Sequence, residues 1–366
     1  SKWRGRSIVN FSVNFPINTV SFGQVSTLLM RGLFEQKKSP PLFVIGNLDL
    51  SAQSKDDGFT QKLNECVGKF HEHSRDNPTL KLWHLNGGLD SFSKKHHLLT
   101  FYELDQPTKA EINTAKNCDK LIFTSRYSQE IFNQFQVESH VVPLAFDKYN
   151  FKKLDKKYFD DGRIVFNLCG KFEKRKHHKK IIQAWAKKFG NNKKYFLQCT
   201  LFNHFLSEEQ NKGSFSDCLE GKPYFNIQFL GHMPSNEVYN DYLNSADIIL
   251  GMSGGEGWGL PEFHSVALGK HSVILNASGY KEWATNENSV LINPSGKIEV
   301  YDGIFFKKGQ PFNQGLIYDF NEDDFISGCE EAIKRHTKSR VNKEGIKIQE
   351  TFTVEKTLDQ LLKIIK

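Results

Sequence analysis

The chain has 366 residues, too many for one ordinary hydrophobic core and about right for two domains. Hydrophobic residues make up 38% and charged residues 25%, with 31 phenylalanines supplying apolar volume, which excludes a disordered chain. The formal net charge of +7 suits anionic partners, whether nucleotide, lipid or nucleic-acid phosphates, and does not choose among them.

Short apolar runs alternate with helical patterns nearly from end to end, the signature of parallel α/β construction. In the first half the patterns predict strands at 7–13 (SIVNFSV), 41–46, 80–85, 98–103, 120–124 and 139–142. Helices are predicted near 23–36, 57–73, 109–117 and 126–136, which makes one doubly wound sheet. A charged, turn-rich linker follows near 147–163. The second series then runs strand 164–169, helix 177–189, strands 195–201 and 225–230, helix 235–244, strand 247–252, helix 261–268 and strand 272–276. At the end, 353–366 places Val354, Leu358, Leu361, Leu362 and Ile365 on one helical stripe that needs a partner surface. The expected division is a domain over 1–160, a second over 161–345 and a C-terminal helix in 346–366.

No apolar run approaches the roughly 18 residues of a membrane span, and the start, SKWRGRSIVNFSV, has no long apolar segment or small-residue cleavage site. The expectation is a cytoplasmic protein. The six cysteines are scattered without a close pair, as reduced thiols would be.

Ligands of open α/β sheets bind beyond the carboxyl ends of strands, so the loops that follow strands are where chemistry is sought. GMSGGEGWGLPEFHSVALGK, 251–270, follows the strand DIILGM and leads into a helix begun by Pro261 and closed by Gly269. Glycines there let a ligand approach backbone N–H groups at a helix start, or serve only a turn that needs positive φ angles. FNLCGKFEKRKHHKK, 166–180, puts Gly170 and Lys171 at a strand end with Lys174, Arg175 and Lys176 before a helix. Cations at that place would neutralise a diphosphate leaving group. His177, His178, Lys179 and Lys180 read as a solvated helix face.

Both stretches resemble the family-4 retaining glycosyltransferases of the two-lobed GT-B fold. Gly170, Lys171 and Lys176 fall at the spacing of that family's Gly-Arg pair and later Lys, with Lys171 in place of Arg. Ser253, Glu256, Gly257, Trp258, Gly259, Leu260 and Pro261 follow its second signature, and His264 stands eight positions after Glu256 where the family has a second Glu. The likeness covers roughly 164–292 well and the first half loosely. It implies an α/β protein of GT-B architecture, two Rossmann-like doubly wound domains facing a cleft, with the acceptor on the first and a nucleoside diphosphate sugar on the second. Lys171 and Lys176 would hold the diphosphate and Glu256 the sugar hydroxyls. Gly170, Ser253, Gly254, Gly255, Gly257, Trp258, Gly259 and Leu260 would line the donor, as would Gly23 in the first domain. His264 either makes one hydrogen bond to the nucleoside half, where the family's Glu holds the ribose, or is packed in its helix. Glu262 points elsewhere on the helix and is a poor substitute.

His84, Asn86, Glu103 and Asp105 end two strands of the first half and form the acceptor-side set. No metal is expected: the acidic pairs Asp56–Asp57 and Asp323–Asp324 read as surface turns. No cofactor is expected beyond the donor substrate itself. The resulting expectation is a retaining, metal-independent transfer of a sugar to a hydroxyl acceptor on a glycan, lipid, protein or modified base. The rivals are a nucleotide-sugar epimerase on the same fold and a non-catalytic protein that binds nucleotide sugars or nucleic acid.

Overall fold

The computed structural model describes residues 10–54 and 58–366, so the first residues of the strand expected at 7–13, and Asp56 and Asp57, lie outside the described residues. The chain forms two compact units. One takes in the described residues up to Tyr102, then Pro107–Asn150 and Phe352–Lys366; the other takes in Glu103–Gln106 and Phe151–Thr351.

The first unit is built on β1 (Ser12–Pro16), β2 (Leu42–Ile45), β3 (Thr79–Leu82), β4 (His96–Thr100), β5 (Lys120–Phe123) and β6 (His140–Val141). Its helices are α1 (Ser21–Glu35), α2 (Phe59–Gly68), α3 (Lys109–Lys116) and α4 (Arg126–Asn133). The strands are parallel in the order β2-β1-β3-β4-β5-β6. β1 lies later than the expected strand and runs to Pro16, which has no N–H to carry the ladder further. The C-terminal helix (Val354–Ile365) belongs here: a Cβ on Gly32 would come within 2.7 Å of Val354 and Leu358, so that glycine lets α1 and the C-terminal helix approach.

The second unit carries β7 (Ile164–Cys169), α5 (His178–Phe189), β8 (Tyr195–Thr200), α6 (Glu208–Cys218), β9 (Ile227–Leu230), α7 (Asn236–Ser245), β10 (Ile248–Gly251), α8 (Leu260–Ala267), β11 (His271–Leu275) and β12 (Val290–Ile292). An antiparallel hairpin, β13 (Gly296–Glu299) and β14 (Leu316–Asp319), follows, then α9 (Glu322–Lys338), α10 (Lys343–Ile346) and α11 (Ile348–Thr351). The parallel sheet runs β12-β11-β10-β7-β8-β9. Lys152 and Leu154 donate their amides to the side chains of Asn240 and Asn244, 3.1 and 2.7 Å away, which attaches the charged linker to α7. The division of the chain therefore falls at Asn150, ahead of the expected 160.

Asp323 and Asp324 do not form a turn. Their amides donate to the side chain of the N-cap Asn321, and their carboxylates sit in the first turn of α9, where the helix dipole favours them. Among the described residues no helix is long and apolar enough to cross a membrane.

Candidate active site

In the second sheet the strand order reverses between β7 and β10. The register pairs Ile248 with Phe166 and Leu250 with Leu168, so the loops that leave the carboxyl ends of these two strands emerge side by side. That is where sheets of this kind bind ligands. The two stretches singled out in the sequence are these two loops.

The first loop opens with Gly170 at φ +120°, and a Cβ there would meet the Lys176 side chain at 3.0 Å. A 3-10 turn over Lys174–Lys176 follows, and His177 takes a left-handed φ of 58° before α5 begins. His177 is buried, which lowers its pKa, and Nε2–H donates to the Tyr318 carbonyl 2.6 Å away. The turn throws Lys176 towards the second loop. There Nζ donates to Glu256 Oε1 at 2.7 Å, with the two side chains 13% and 9% exposed.

Arg175 is the hub of the cluster. Its guanidinium lies 2.5 Å from Glu173, 3.3 Å from Glu256 and 3.4 Å from Glu103, and it also donates to the Gly255 carbonyl. Lys171 stands further out, 3.5 Å from Glu173 and over the rings of Phe305 and Phe205. Burial works to raise the Glu256 pKa, but Lys176 and then Arg175 outweigh it and hold the carboxyl at about 2. Burial likewise opposes the charge on Lys176, and Glu256 more than compensates, so both stay ionised.

Glu262 is the buried carboxylate that the sequence reading passed over as a poor substitute for the family's second Glu. It faces this cluster: its Oε1 accepts from Tyr280 Oη at 3.3 Å, and its Oε2 has no hydrogen-bond partner among the described residues. Burial first, then the charge of Glu256, lifts its pKa to about 7. As expected, it points elsewhere on α8 than His264; what helical phase alone did not give is its surroundings, since the short α8 turns Glu262 under Gly251, where a Cβ would meet its Cγ at 2.7 Å.

His264 sits on the other side of α8. Nδ1 lies 2.9 Å from the Leu260 carbonyl, to which it donates, and the ring packs 4.4 Å from the Phe151 ring. These are the contacts of a packed helix residue.

The glycines of the second loop have packing reasons to be bare. A Cβ at Gly254 would meet the Tyr318 oxygen at 2.6 Å and Ile317 at 2.8 Å, and one at Gly255 would meet the Glu103 oxygen at 2.6 Å. The Gly254 amide donates to the Arg175 carbonyl and the Glu256 amide to Ser278 Oγ, so both are engaged within the protein. Ser253 Oγ reaches the Arg175 and Gly255 carbonyls at 3.4 and 3.3 Å. Trp258 is a core side chain against Phe263, and its carbonyl accepts from Trp283 Nε1. Gly259, at φ +87°, lies against Tyr280, and Leu260 opens α8. Gly23 is in the first turn of α1 in the other unit, where a Cβ would run into Asn18.

The four acceptor-side candidates separate. His84 and Asn86 are exposed in the first unit. Glu103 and Asp105 fall in the short segment that belongs to the second unit, Glu103 beside Arg175. Asp105 binds Lys297 Nζ at 2.9 Å and the Leu316 amide at 2.8 Å, which ties this segment to the β13–β14 hairpin. Among the described residues no group of three or more His, Cys, Asp or Glu side chains is placed to hold a metal ion.

No protein-family model matches the chain, and no curated protein matches it in sequence. Solved structures do match in fold. A sucrose-phosphate synthase from Thermosynechococcus elongatus aligns with a TM-score of 0.68 at 12% identity over 97% of both chains. HepE of Anabaena, solved in complex with UDP and glucose, aligns with a TM-score of 0.65 at 13% identity over 97% of this chain and 98% of its own. WaaG, a glycosyltransferase involved in lipopolysaccharide biosynthesis, gives 0.62 at 10% identity over 97% and 99%. At these identities the likeness shows the fold: the chain has the GT-B architecture, with two Rossmann-like units.

Proposed function

We propose that the chain is a glycosyltransferase that moves a sugar from a nucleoside diphosphate sugar to a hydroxyl acceptor, with retention of anomeric configuration and without a required metal. The observation that carries this reading is the buried Lys176–Glu256 pair at the strand-order reversal of the second sheet. It sets a cation for phosphate beside a carboxylate for hydroxyls. Similar folds that bind such donors, HepE with UDP-glucose among them, support it.

In this reading Lys176 and Lys171 stabilise charge as it develops on the departing diphosphate, and Glu256 accepts hydrogen bonds from the sugar hydroxyls. Arg175 holds Glu173 and Glu256 in place. Preorganised cations in a site shielded from water are worth more than the same charges in solvent, and they need no reorientation as the bond breaks. With these side chains supplying the positive charge, transfer should persist in EDTA.

The test is to incubate the protein with nucleotide sugars and a mixture of hydroxyl acceptors, then follow nucleoside diphosphate release and the anomeric proton of the product by NMR. Release coupled to an axial-to-axial or equatorial-to-equatorial product in EDTA supports the reading. Binding without release sinks the enzyme assignment, inversion sinks retention, and a requirement for magnesium or manganese sinks metal independence.

A further inference from the structure

The carboxyl edge of the first sheet carries a ring cluster that takes no part in the charged site described above. Phe22, in the first turn of α1, packs 4.4 Å from the ring of His84, 4.9 Å from Phe101 and 6.2 Å from Trp83. Trp83 and His84 follow β3, and Phe101 follows β4. β1, β3 and β4 are neighbours in the sheet, and the strand order reverses at β1 and β3. The rings therefore meet at the place where an open sheet receives a ligand.

These rings are not ordinary core. Phe15 and Phe123, inside the same sheet, are fully buried, whereas Phe22, Trp83 and Phe101 are half-buried and His84 is exposed. Exposed Ser21, at the start of α1, and exposed Asn86, in the loop after β3, stand beside the rings, with Val20 58% and Leu89 43% exposed next to them.

Charge narrows the occupant. The chain has 49 lysines and arginines, yet residues 17–22, 83–90 and 101–102 contain none, and their one charged side chain is Asp90. A phosphorylated ligand or a nucleic-acid strand would stack on such rings but needs cations along its backbone; these segments carry none, and Lys81, whose ammonium sits within the 83–90 loop, is buried and held by the Gly87 and Asp90 carbonyls. A sugar ring fits both halves of the surface. Its polarised C–H face suits the electron-rich face of an aromatic ring, and its hydroxyl edge suits hydroxyl and amide side chains.

We propose that the cluster of Phe22, Trp83, His84 and Phe101 is a binding platform for a neutral carbohydrate. Calling that carbohydrate the acceptor rests on the transferase reading; the binding itself does not.

The experiment uses the full chain on an array of neutral, uronic-acid and phosphorylated glycans, with a single-stranded DNA oligonucleotide as a further probe and no nucleotide sugar present. The strongest neutral hit is then titrated by saturation-transfer NMR with irradiation of the aromatic protons. Neutral glycans should be retained in preference to all other probes. Trp83→Ala should weaken the hit tenfold or more and Trp83→Phe should restore it. His84→Ala, at an exposed position outside the core, should weaken it severalfold while the protein stays folded. Lys176→Ala, in the other unit, should leave it unaltered. Preference for charged glycans or for the oligonucleotide, no neutral glycan retained, or wild-type binding by folded His84→Ala and Trp83→Ala proteins would each overturn the proposal. Neutral glycan binding by a protein that binds no nucleotide sugar would support the platform and show that the bound carbohydrate is not an acceptor.

Discussion

Lys176 and Glu256 lie 80 positions apart in the chain and 2.7 Å apart in space, joined because β7 and β10 are neighbours whose following loops meet. The pair is not isolated: Arg175 also lies 3.3 Å from the same carboxylate oxygen. Lys176→Ala therefore leaves Glu256 with a cationic partner. The variant should fold, with Tm close to wild type, and should transfer sugar at least tenfold more slowly, since one charge-stabilising group is typically worth ~2–4 kcal/mol. Lys171→Ala, at a more exposed position, should lose less. Steady-state rates beside melting curves check both, and wild-type turnover by folded Lys176→Ala would count against the assignment.

Arg175 should behave differently. Removing its charge leaves Glu173, Glu256 and Glu103 without their shared cation, and losing one partner of a buried ionic cluster costs about 3–5 kcal/mol. Arg175→Met should thus lower stability far more than Lys176→Ala does. Chemical denaturation of the two variants side by side gives the comparison, and equal midpoints would mean that Arg175 is not the structural hub.

Glu262 sets a pH dependence whose sign follows from its raised pKa. From the ordinary carboxylate value of 4.5 up to about 7, the unfolded chain is ionised at this residue while the native protein holds its proton. The unfolded state therefore binds fewer protons, and this carboxyl's effect on stability worsens as pH rises through that window. Glu262→Gln imitates the protonated form, so its Tm should gain on wild type between pH 5 and pH 8. Donor affinity should also fall less steeply with pH in the variant, because an anionic donor favours the uncharged side chain. A Tm difference that does not vary with pH would show that Glu262 stays ionised.

His264 was expected either to contact the nucleoside or to be packed, and its geometry favours packing. Loss of the Nδ1–H bond to Leu260 and of the stack on Phe151 in His264→Ala should cost about 1–3 kcal/mol of stability. His264→Phe, which keeps a ring there, should recover most of it, with donor affinity unchanged. A tenfold drop in donor affinity for the folded His264→Phe protein would return the histidine to the nucleotide.

The two loops of the site were legible because glycines, cations and a carboxylate directly follow buried strands, and strand-end position is written in the local pattern. What the glycines were for was not legible. Gly254 and Gly255 are bare because β14 and the Glu103 segment lie against them, contacts made by residues far along the chain. Arg175 was read as one more cation of a basic run, since only the tertiary fold brings Glu103 and Glu256 to it. Glu262 was dismissed on helical phase alone, although a carboxylate on the buried face of a helix is costly enough to signal a function. α6 went unread although its N-cap, Ser207, was visible, because its mostly polar surface obscures the helical period; α9 went unread although both its N-cap, Asn321, and its Phe325–Cys329–Ala332 stripe were there to see.

The central claim is that the carboxyl edge of the second sheet holds a nucleoside diphosphate sugar by side-chain cations. Thermal shift against a panel of nucleotide sugars in EDTA, on wild type and Lys176→Ala, tests it most directly. A ligand at one hundred times its Kd stabilises the folded state by about 2.7 kcal/mol, a readily measured rise in Tm. The account predicts that at least one nucleotide sugar raises the wild-type Tm in EDTA and raises that of Lys176→Ala distinctly less at the same concentration. No shift with any member of the panel, or a shift of equal size in both proteins, would contradict it.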